Sequence, residues 1–273
     1  MSVAKERTTI LRSDKSEEKM TKNNGLVSIS FRNKTPDELI ALCKEAGLKY
    51  IEWGSDVHCP VGNIEYAKEL GNKTREAGIN TYCYGSYFRV GITDTSEFEQ
   101  YCLTAVALGA KCIRVWAYNK KYSECSSDEL NMIQSSVSEI FKTAKKHNLY
   151  INFEYHRGSL TETIDGTLKL FDMVPENNLK VHWQPNPQIT TEDNLAELNL
   201  LPRVDIVHVF AWTNENCMDI RHPLYNHHIT WCEYVKAARR INPECIFELE
   251  FFMDDTATQF IQDAKTLTDV ILN

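Results

Sequence analysis

The amino-acid sequence predicts an α/β protein built as a single (β/α)8 TIM barrel. Three observations predict it. Short apolar runs rich in β-branched and aromatic residues alternate with helical patterns from residue 25 to residue 273, and the alternation completes eight rounds. Alternation at this spacing builds parallel βαβ units joined by right-handed crossovers, and eight of them close a barrel. A length of 273 residues is ordinary for one such barrel, and no low-complexity linker or longer repeat divides residues 25–273. A doubly wound open sheet is the competing architecture. No G-x-G-x-x-G or G-x-x-x-x-G-K-[ST] turn follows any strand, so a nucleotide cofactor is not expected.

In chain order, residues 1–24 are polar and charge-rich and read as a flexible N-terminal extension, with 13–22 its one candidate for a short helix. Strands are expected at 26–31, 50–53, 80–84, 112–117, 150–155, 180–184, 206–210 and 246–251. The first helix is typical of the rest. Thr35 supplies an N-cap, Pro36 sits at N1, Glu38 at N3 completes a capping box, and Gly47 ends the helix. Gly78 and Gly109 stop the next two helices just before the following strands. Later helices are read at 127–146, 161–173, 192–200, 230–241 and 256–272, with Asp254 and Asp255 in the N-cap region of the last.

Composition narrows the function. A hydrophobic fraction of 42% and a charged fraction of 25% are ordinary for a soluble globular protein. The net charge of −8 argues against a nucleic-acid surface, which needs clustered Lys and Arg. No apolar run of about 18 residues is present, so no membrane span is expected. The nine cysteines are scattered without a C-x-x-C pair, and no secretory leader is evident, which together fit a reducing cytoplasm. Cys83, Cys112 and Cys245 lie in strand-like runs and read as small core residues.

Barrel chemistry sits where strands end and βα loops begin, so polar residues at strand ends are the candidates. The fifth strand draws attention first. Asn152, Glu154 and His156 share one face at period two, and a carboxylate inside a strand is costly unless a cation, a metal or several hydrogen bonds satisfy it. Other strand ends contribute Glu52, Asp56 and His58, then Tyr84 to Tyr87, Arg114 and Trp116, and His182 and Gln184. The last two strands add His208 and Trp212, then Glu248 and Glu250. Plainer roles compete. Glu154 and Glu250 could be buried ion-pair members, for example with Arg114, and His208 a core histidine. Glu248, one layer deeper than Glu250, reads as an internal ion pair. The aromatic residues could pack the core as well as stack on a sugar, and the histidines at 222–228 read as surface residues.

These residues carry a resemblance. Ile51-Glu-Trp-Gly54 with His58, Tyr84-Gly-Ser-Tyr87, Ile113-Arg-Val-Trp116, Phe153-Glu-Tyr-His156, Trp183-Gln-Pro185, His208-Val-Phe210 and Leu249-Glu-Phe251 make the chain from residue 26 onward resemble the xylose isomerase-like TIM barrels. That group spans sugar phosphate isomerases and epimerases, ketose 3-epimerases and endonuclease IV. The resemblance implies a divalent ion (Mg, Mn or Zn) on Glu154, Gln184, His208 and Glu250, although Gln184 stands where an Asp is typical. It implies an isomerase or epimerase of a small sugar, sugar acid or sugar phosphate, working by proton transfer next to a carbonyl. Glu154 and Glu250 would be the acid/base pair, with His156 as relay. Arg32, Glu52, His58, Tyr84, Arg114, Trp116 and Arg221 would contact substrate, the arginines Arg32 and Arg114 meeting a phosphate or carboxylate. Homo-oligomers are common among such relatives. An inosose-dehydratase-like lyase and a carbohydrate-binding barrel without turnover are the alternatives; a DNA-cleaving role would need a basic face that the chain lacks.

Overall fold

The computed structural model describes residues 22–174 and 179–273, so the helix expected over 13–22 lies, but for its last residue, outside the described residues. The strands in chain order are β1 (Asn24–Val27), β2 (Tyr50–Gly54), β3 (Cys83–Val90), β4 (Cys112–Ala117), β5 (Tyr150–Glu154), β6 (Leu179–Trp183), β7 (Val204–Val209), β8 (Trp212–Glu215), β9 (Met218–Arg221) and β10 (Ile246–Leu249). All except β8 and β9 close into one parallel barrel, with β1 joined to β2 on one side and β10 on the other. The helices are α1 (Pro36–Glu45), α2 (Ile64–Glu76), α3 (Phe98–Leu108), α4 (Ser127–Lys146), α5 (Ile164–Met173), α6 (Thr191–Leu200), α7 (His228–Ile241) and α8 (Ala257–Leu272). The expected (β/α)8 barrel is the observed fold.

Local signals act as read. Thr35 and Glu38 form a reciprocal capping box on α1, and Ser126 with Glu129 does the same for α4, so orphan N–H donors of both first turns are satisfied. Four details differ. The first strand begins at Asn24 and stops at Val27, because Ser28–Phe31 turns into a 3-10 helix whose Ser28 Oγ accepts from the Gly54 amide at 2.9 Å. β3 continues to Val90, with a register break between Gly85 and Arg89 opposite β4. β8 and β9 form an unexpected antiparallel hairpin, turned at Asn216 and Cys217 with φ of 50° and 63°. Thr256, and not Asp254 or Asp255, caps α8, and both aspartates adopt left-handed backbone just before it.

The main core fills the space between the barrel and its helices, with fully buried Trp53, Phe98, Phe153, Trp183 and Phe260 among its largest members. Inside the barrel, Cys83, Cys112, Ile206 and Ile246 form a small apolar plug at the N-terminal end, as expected for Cys83 and Cys112. Above that plug the interior is polar. Paired residues of adjacent parallel strands share a face, so Gly25 beside Glu248, Glu248 beside His208, Gly85 beside Arg114 and Glu154 beside His182 all point inward. The strand ends therefore present titratable groups in layers.

Candidate active site

The C-terminal ends of the strands open on a cavity of about 180 Å³, lined among others by Arg32, Arg114, Trp116, Glu154, His156, Gln184, Trp212 and Glu250. At about 30 Å³ of liquid volume per water this is room for roughly six waters, the scale of a monosaccharide. A larger void of about 510 Å³ lies at the opposite end, over Tyr82, Lys180 and Asp205. Barrel chemistry belongs to the C-terminal face, so the smaller cavity is the candidate site.

Glu154 ends β5 and is 2% exposed. Its Oε2 accepts from Arg114 Nη1 and Trp116 Nε1, and its Oε1 accepts from Gln184 Nε2 at 3.2 Å. Arg114 turns its Nε to Glu52 Oε1 at 3.0 Å, so one buried guanidinium ties two carboxylates together. The β3 sequence permits this. A Cβ on Gly85 would lie 2.4 Å from Glu52 Oε1 and 3.0 Å from Arg114 Nη2, so only glycine leaves room for the pair. Burial alone would raise the Glu154 pKa, but the positive charge of Arg114, with His156 and His208, outweighs it and brings the value down to about 2. Burial would likewise lower Arg114, yet Glu154 and Glu52 hold its guanidinium well above its ordinary value.

Glu250 follows β10, with its amide bonded to Val209 O at 2.9 Å and its Oε2 3.3 Å from His208 Nδ1. Burial works to lower His208, but Glu250, Glu52 and Glu154 outweigh it and raise its pKa to about 9. His156 stacks on Trp116 with ring centroids 4.5 Å apart and planes 21° from parallel. Its Nδ1 faces the Arg157 carbonyl at 2.5 Å, so Nδ1 carries a proton and Nε2 is left for other partners. Arg32 is held at the rim by Asp56 at 3.0 Å and by the Tyr87 hydroxyl at 2.9 Å. Arg157 reaches Asp219 of the hairpin at 2.5 Å, which docks β9 beside the mouth.

One layer below, Glu52, His182, His208 and Glu248 are fully buried, and each offers an atom within 4.8 Å of the others' atoms. Neither ring nitrogen of His182 and neither oxygen of Glu248 has a hydrogen-bond partner. The ion pair expected for Glu248 is therefore not made. Burial and the charge of Glu52 push its carboxyl well above the ordinary range, while burial, His208 and Arg114 push His182 well below its own. The mouth quartet is different. Glu154 accepts from three donors, one of them the Gln184 amide, which turns an N–H and not an oxygen toward it, so Glu154, Gln184, His208 and Glu250 as arranged do not present four free ligand atoms to a divalent ion. Among the described His, Cys, Asp and Glu residues, the metal-capable group shares only His208 with that quartet.

Arg32, Arg114 and Trp116 line the cavity as expected of substrate contacts. The other expected contacts do not. Glu52 lies in the deeper layer. His58 is buried outside the mouth, its ring nitrogens 3.1 Å from Ser28 Oγ and 3.1 Å from the Lys34 carbonyl. Tyr84 points outward between β3 and its helices and donates to the Cys59 carbonyl at 2.8 Å, because the inward positions of β3 are Cys83 and Gly85. Arg221 pairs with Asp255 at 2.7 Å and lies over the Trp212 and Phe251 rings, beside the cavity rather than in its lining. Sequence reasoning missed Arg157, Glu162 and Asn186, which do line it. Their positions just after the ends of β5 and β6 were the available signal.

The chain matches the model of the xylose isomerase-like TIM barrel family over residues 40–270 and belongs to that family. A curated relative, 3-dehydroshikimate dehydratase of Bacillus anthracis, is 24% identical over 166 residues, or 58% of this chain; the match spans 59% of that relative's length. Among solved structures, the probable 3-DHS dehydratase AsbF from Bacillus anthracis superposes with a TM-score of 0.74 at 20% identity, covering 93% of this chain and 99% of that one. L-ribulose 3-epimerase superposes with a TM-score of 0.68 at 12% identity, covering 91% and 93%. At these identities the structural likeness speaks to the fold. No helix among the described residues is long and apolar enough to cross a membrane.

Proposed function

We infer that the mouth of the barrel catalyses proton transfer next to the carbonyl of a small sugar, sugar acid or sugar phosphate, as an isomerase or epimerase. The observation that carries the reading is that Glu154 and Glu250 share one small cavity with His156 and three arginines, the third lining carboxylate, Glu162, being held by the Gly158 amide and Lys121. Glu250 is the base that takes the proton from carbon. Glu154, held ionised by Arg114, Trp116 and Gln184, is a poor base and accepts substrate hydroxyls. His156 relays a proton between carbonyl and neighbouring hydroxyl oxygens through Nε2. Arg32 and Arg157 face an anionic group, and Trp116 and Trp212 flank the sugar ring. A carboxylate fixed in its ionised form cannot return a proton from the second face of the substrate. The arrangement therefore favours a one-base shift between adjacent carbons over a two-base inversion. No step is routed through a metal at the mouth.

A second reading rests on the likeness to a 3-dehydroshikimate dehydratase in both sequence and structure. There Glu250 would take the same proton while His156, having accepted a second proton from solvent at Nε2, passed it to the departing hydroxyl so that water leaves. One experiment separates the two and tests both. A panel of ketoses, sugar acids and their phosphates is incubated with the protein in deuterated water and followed by NMR. Isomerisation predicts solvent deuterium next to the carbonyl and an isomeric product; a lyase predicts an unsaturated or deoxy-keto product. Binding detected by calorimetry without exchange or product, for every compound, would overturn both and leave a carbohydrate-binding barrel.

A further inference from the structure

The geometry points to a closed divalent-metal site inside the barrel, one layer beneath the mouth, held by Glu52, His182, His208 and Glu248. Four elements deliver these ligands, from β2, β6, β7 and β10, and all four side chains are fully buried. Such a group without partners is expensive, since each buried imidazole or carboxylate left unsatisfied costs a desolvation penalty. Yet the unpartnered atoms lie together: both nitrogens of His182, Nε2 of His208, Glu52 Oε2 and both oxygens of Glu248 lack hydrogen bonds, while Nδ1 of His208 lies 3.3 Å from Glu250 Oε2. His182 Nδ1 lies 3.8 Å from Glu52 Oε2, and the two imidazole rings meet edge to face with centroids 4.0 Å apart.

The backbone makes room for this group. A Cβ on Gly25 would stand 2.8 Å from Glu248 Cγ, and one on Gly85 would stand 2.4 Å from Glu52 Oε1, so two glycines clear the space that two of the ligands occupy. Charge also balances. Arg114, which pairs with both Glu154 and Glu52, and one doubly charged ion together carry three positive charges, against the three carboxylates of Glu154, Glu52 and Glu248. Two imidazoles with two carboxylates is a nitrogen and oxygen set suited to zinc-class ions and poorly suited to calcium or magnesium. Ligand atoms around a tetrahedral zinc, with bonds of about 2.0–2.2 Å, stand roughly 3.4 Å apart. The present spread of up to 4.8 Å exceeds that spacing by about 1.4 Å, so the side chains must draw inward to bind an ion. Four protein ligands with no opening toward substrate describe a structural ion. It would fix His208 beneath Glu250 and Glu52 beneath Arg114, and so hold the mouth from below.

The test needs no knowledge of the substrate, so its failure is distinct from failure of the proposed reaction. The full-length protein is stripped with chelator, checked for folding by circular dichroism, and titrated with Co²⁺ by visible absorption and calorimetry, followed by competition with Zn²⁺. One equivalent of Co²⁺ should bind with the d–d bands of a nitrogen- and oxygen-ligated ion, and Zn²⁺ should displace it. His182→Asn and Glu248→Gln should each weaken binding by roughly 100-fold or more, as loss of one of four ligands does. Gln184→Leu and Arg32→Ala, at the mouth and hydrogen-bonded to none of the four ligands, should change it by less than about threefold. Tight binding that survives both His182→Asn and Glu248→Gln, or binding that Gln184→Leu abolishes, would place the ion elsewhere and overturn the assignment. Absence of Co²⁺ and Zn²⁺ binding by the folded protein would overturn it too.

Discussion

Replacing Arg114 by Met keeps the bulk of the side chain and deletes the guanidinium that joins Glu52 and Glu154. Removing one partner of a buried pair leaves an uncompensated charge and costs about 3–5 kcal/mol. The depression of Glu154 from 4.5 to about 2 gives a similar figure, roughly 3 kcal/mol at about 1.4 kcal/mol per pH unit. For a chain of this size each kcal/mol lowers the melting temperature by about 2–4 °C, so Arg114→Met should melt roughly 6–20 °C below the parent at pH 7. The pH dependence follows from the sign of the shift. A depressed carboxylate pKa stabilises the fold fully above its unfolded value and loses that contribution as pH falls through the folded one. The gap between parent and Arg114→Met should thus narrow as pH drops from 4.5 toward 2. Adding Glu154→Gln to Arg114→Met removes one of the two stranded charges, so the double variant should recover part of the loss. Scanning calorimetry across this range is the assay. A melting temperature for Arg114→Met within about 2 °C of the parent at pH 7 would refute the view that this triad organises the barrel interior.

Three further outcomes are expected. Gly85→Ala drives a methyl to within 2.4 Å of Glu52 Oε1 and should lower stability by about 1–3 kcal/mol, read as an earlier urea midpoint at unchanged slope; an unchanged midpoint would contradict the close packing at that glycine. In metal-free protein the His208 imidazole should titrate near 9 by NMR, so its stabilisation is complete below its ordinary 6.5 and lost as pH rises from 6.5 through 9. Glu250→Gln should bring that value down, and a parent value near 6.5 would contradict the proximity of the two groups. Arg157→Ala breaks a pair whose side chains are 32% and 24% exposed, so it should cost less than about 1 kcal/mol overall while speeding amide exchange in β8 and β9; unaltered exchange would show that Asp219 does not anchor the hairpin.

Most of the architecture was legible because its signals are local. β4 and α4 fall where strand-like composition and a Ser-x-x-Glu capping box place them. The site was legible in part, through strand-end residues such as Glu154, Trp116 and Glu250. What could not be read was parity. A parallel strand covered on both faces is apolar throughout, so nothing in Cys83-Tyr-Gly-Ser says that glycine, and not tyrosine, faces inward. His58 failed for a related reason, since a polar residue in a βα loop serves a turn as readily as a substrate. The hairpin at β8 and β9 was hidden because its turn uses Asn216 and Cys217 in left-handed backbone, where Asn-Gly would have announced it. The inner quartet was hidden by distance. Its members are separated by up to 196 residues, and only the barrel register brings Glu52 against Glu248.

The most direct test of the central claim compares the protein with its Glu250→Gln and Glu154→Gln variants in deuterated water, on a substrate drawn from the ketose, sugar acid and sugar phosphate panel. The signal of the C–H next to the carbonyl is integrated over time by proton NMR. A base at Glu250 predicts that Glu250→Gln slows exchange by about 10²–10⁴ while circular dichroism is unchanged, and that Glu154→Gln retains a larger share of the exchange rate. Exchange that proceeds undiminished in Glu250→Gln would contradict the assignment.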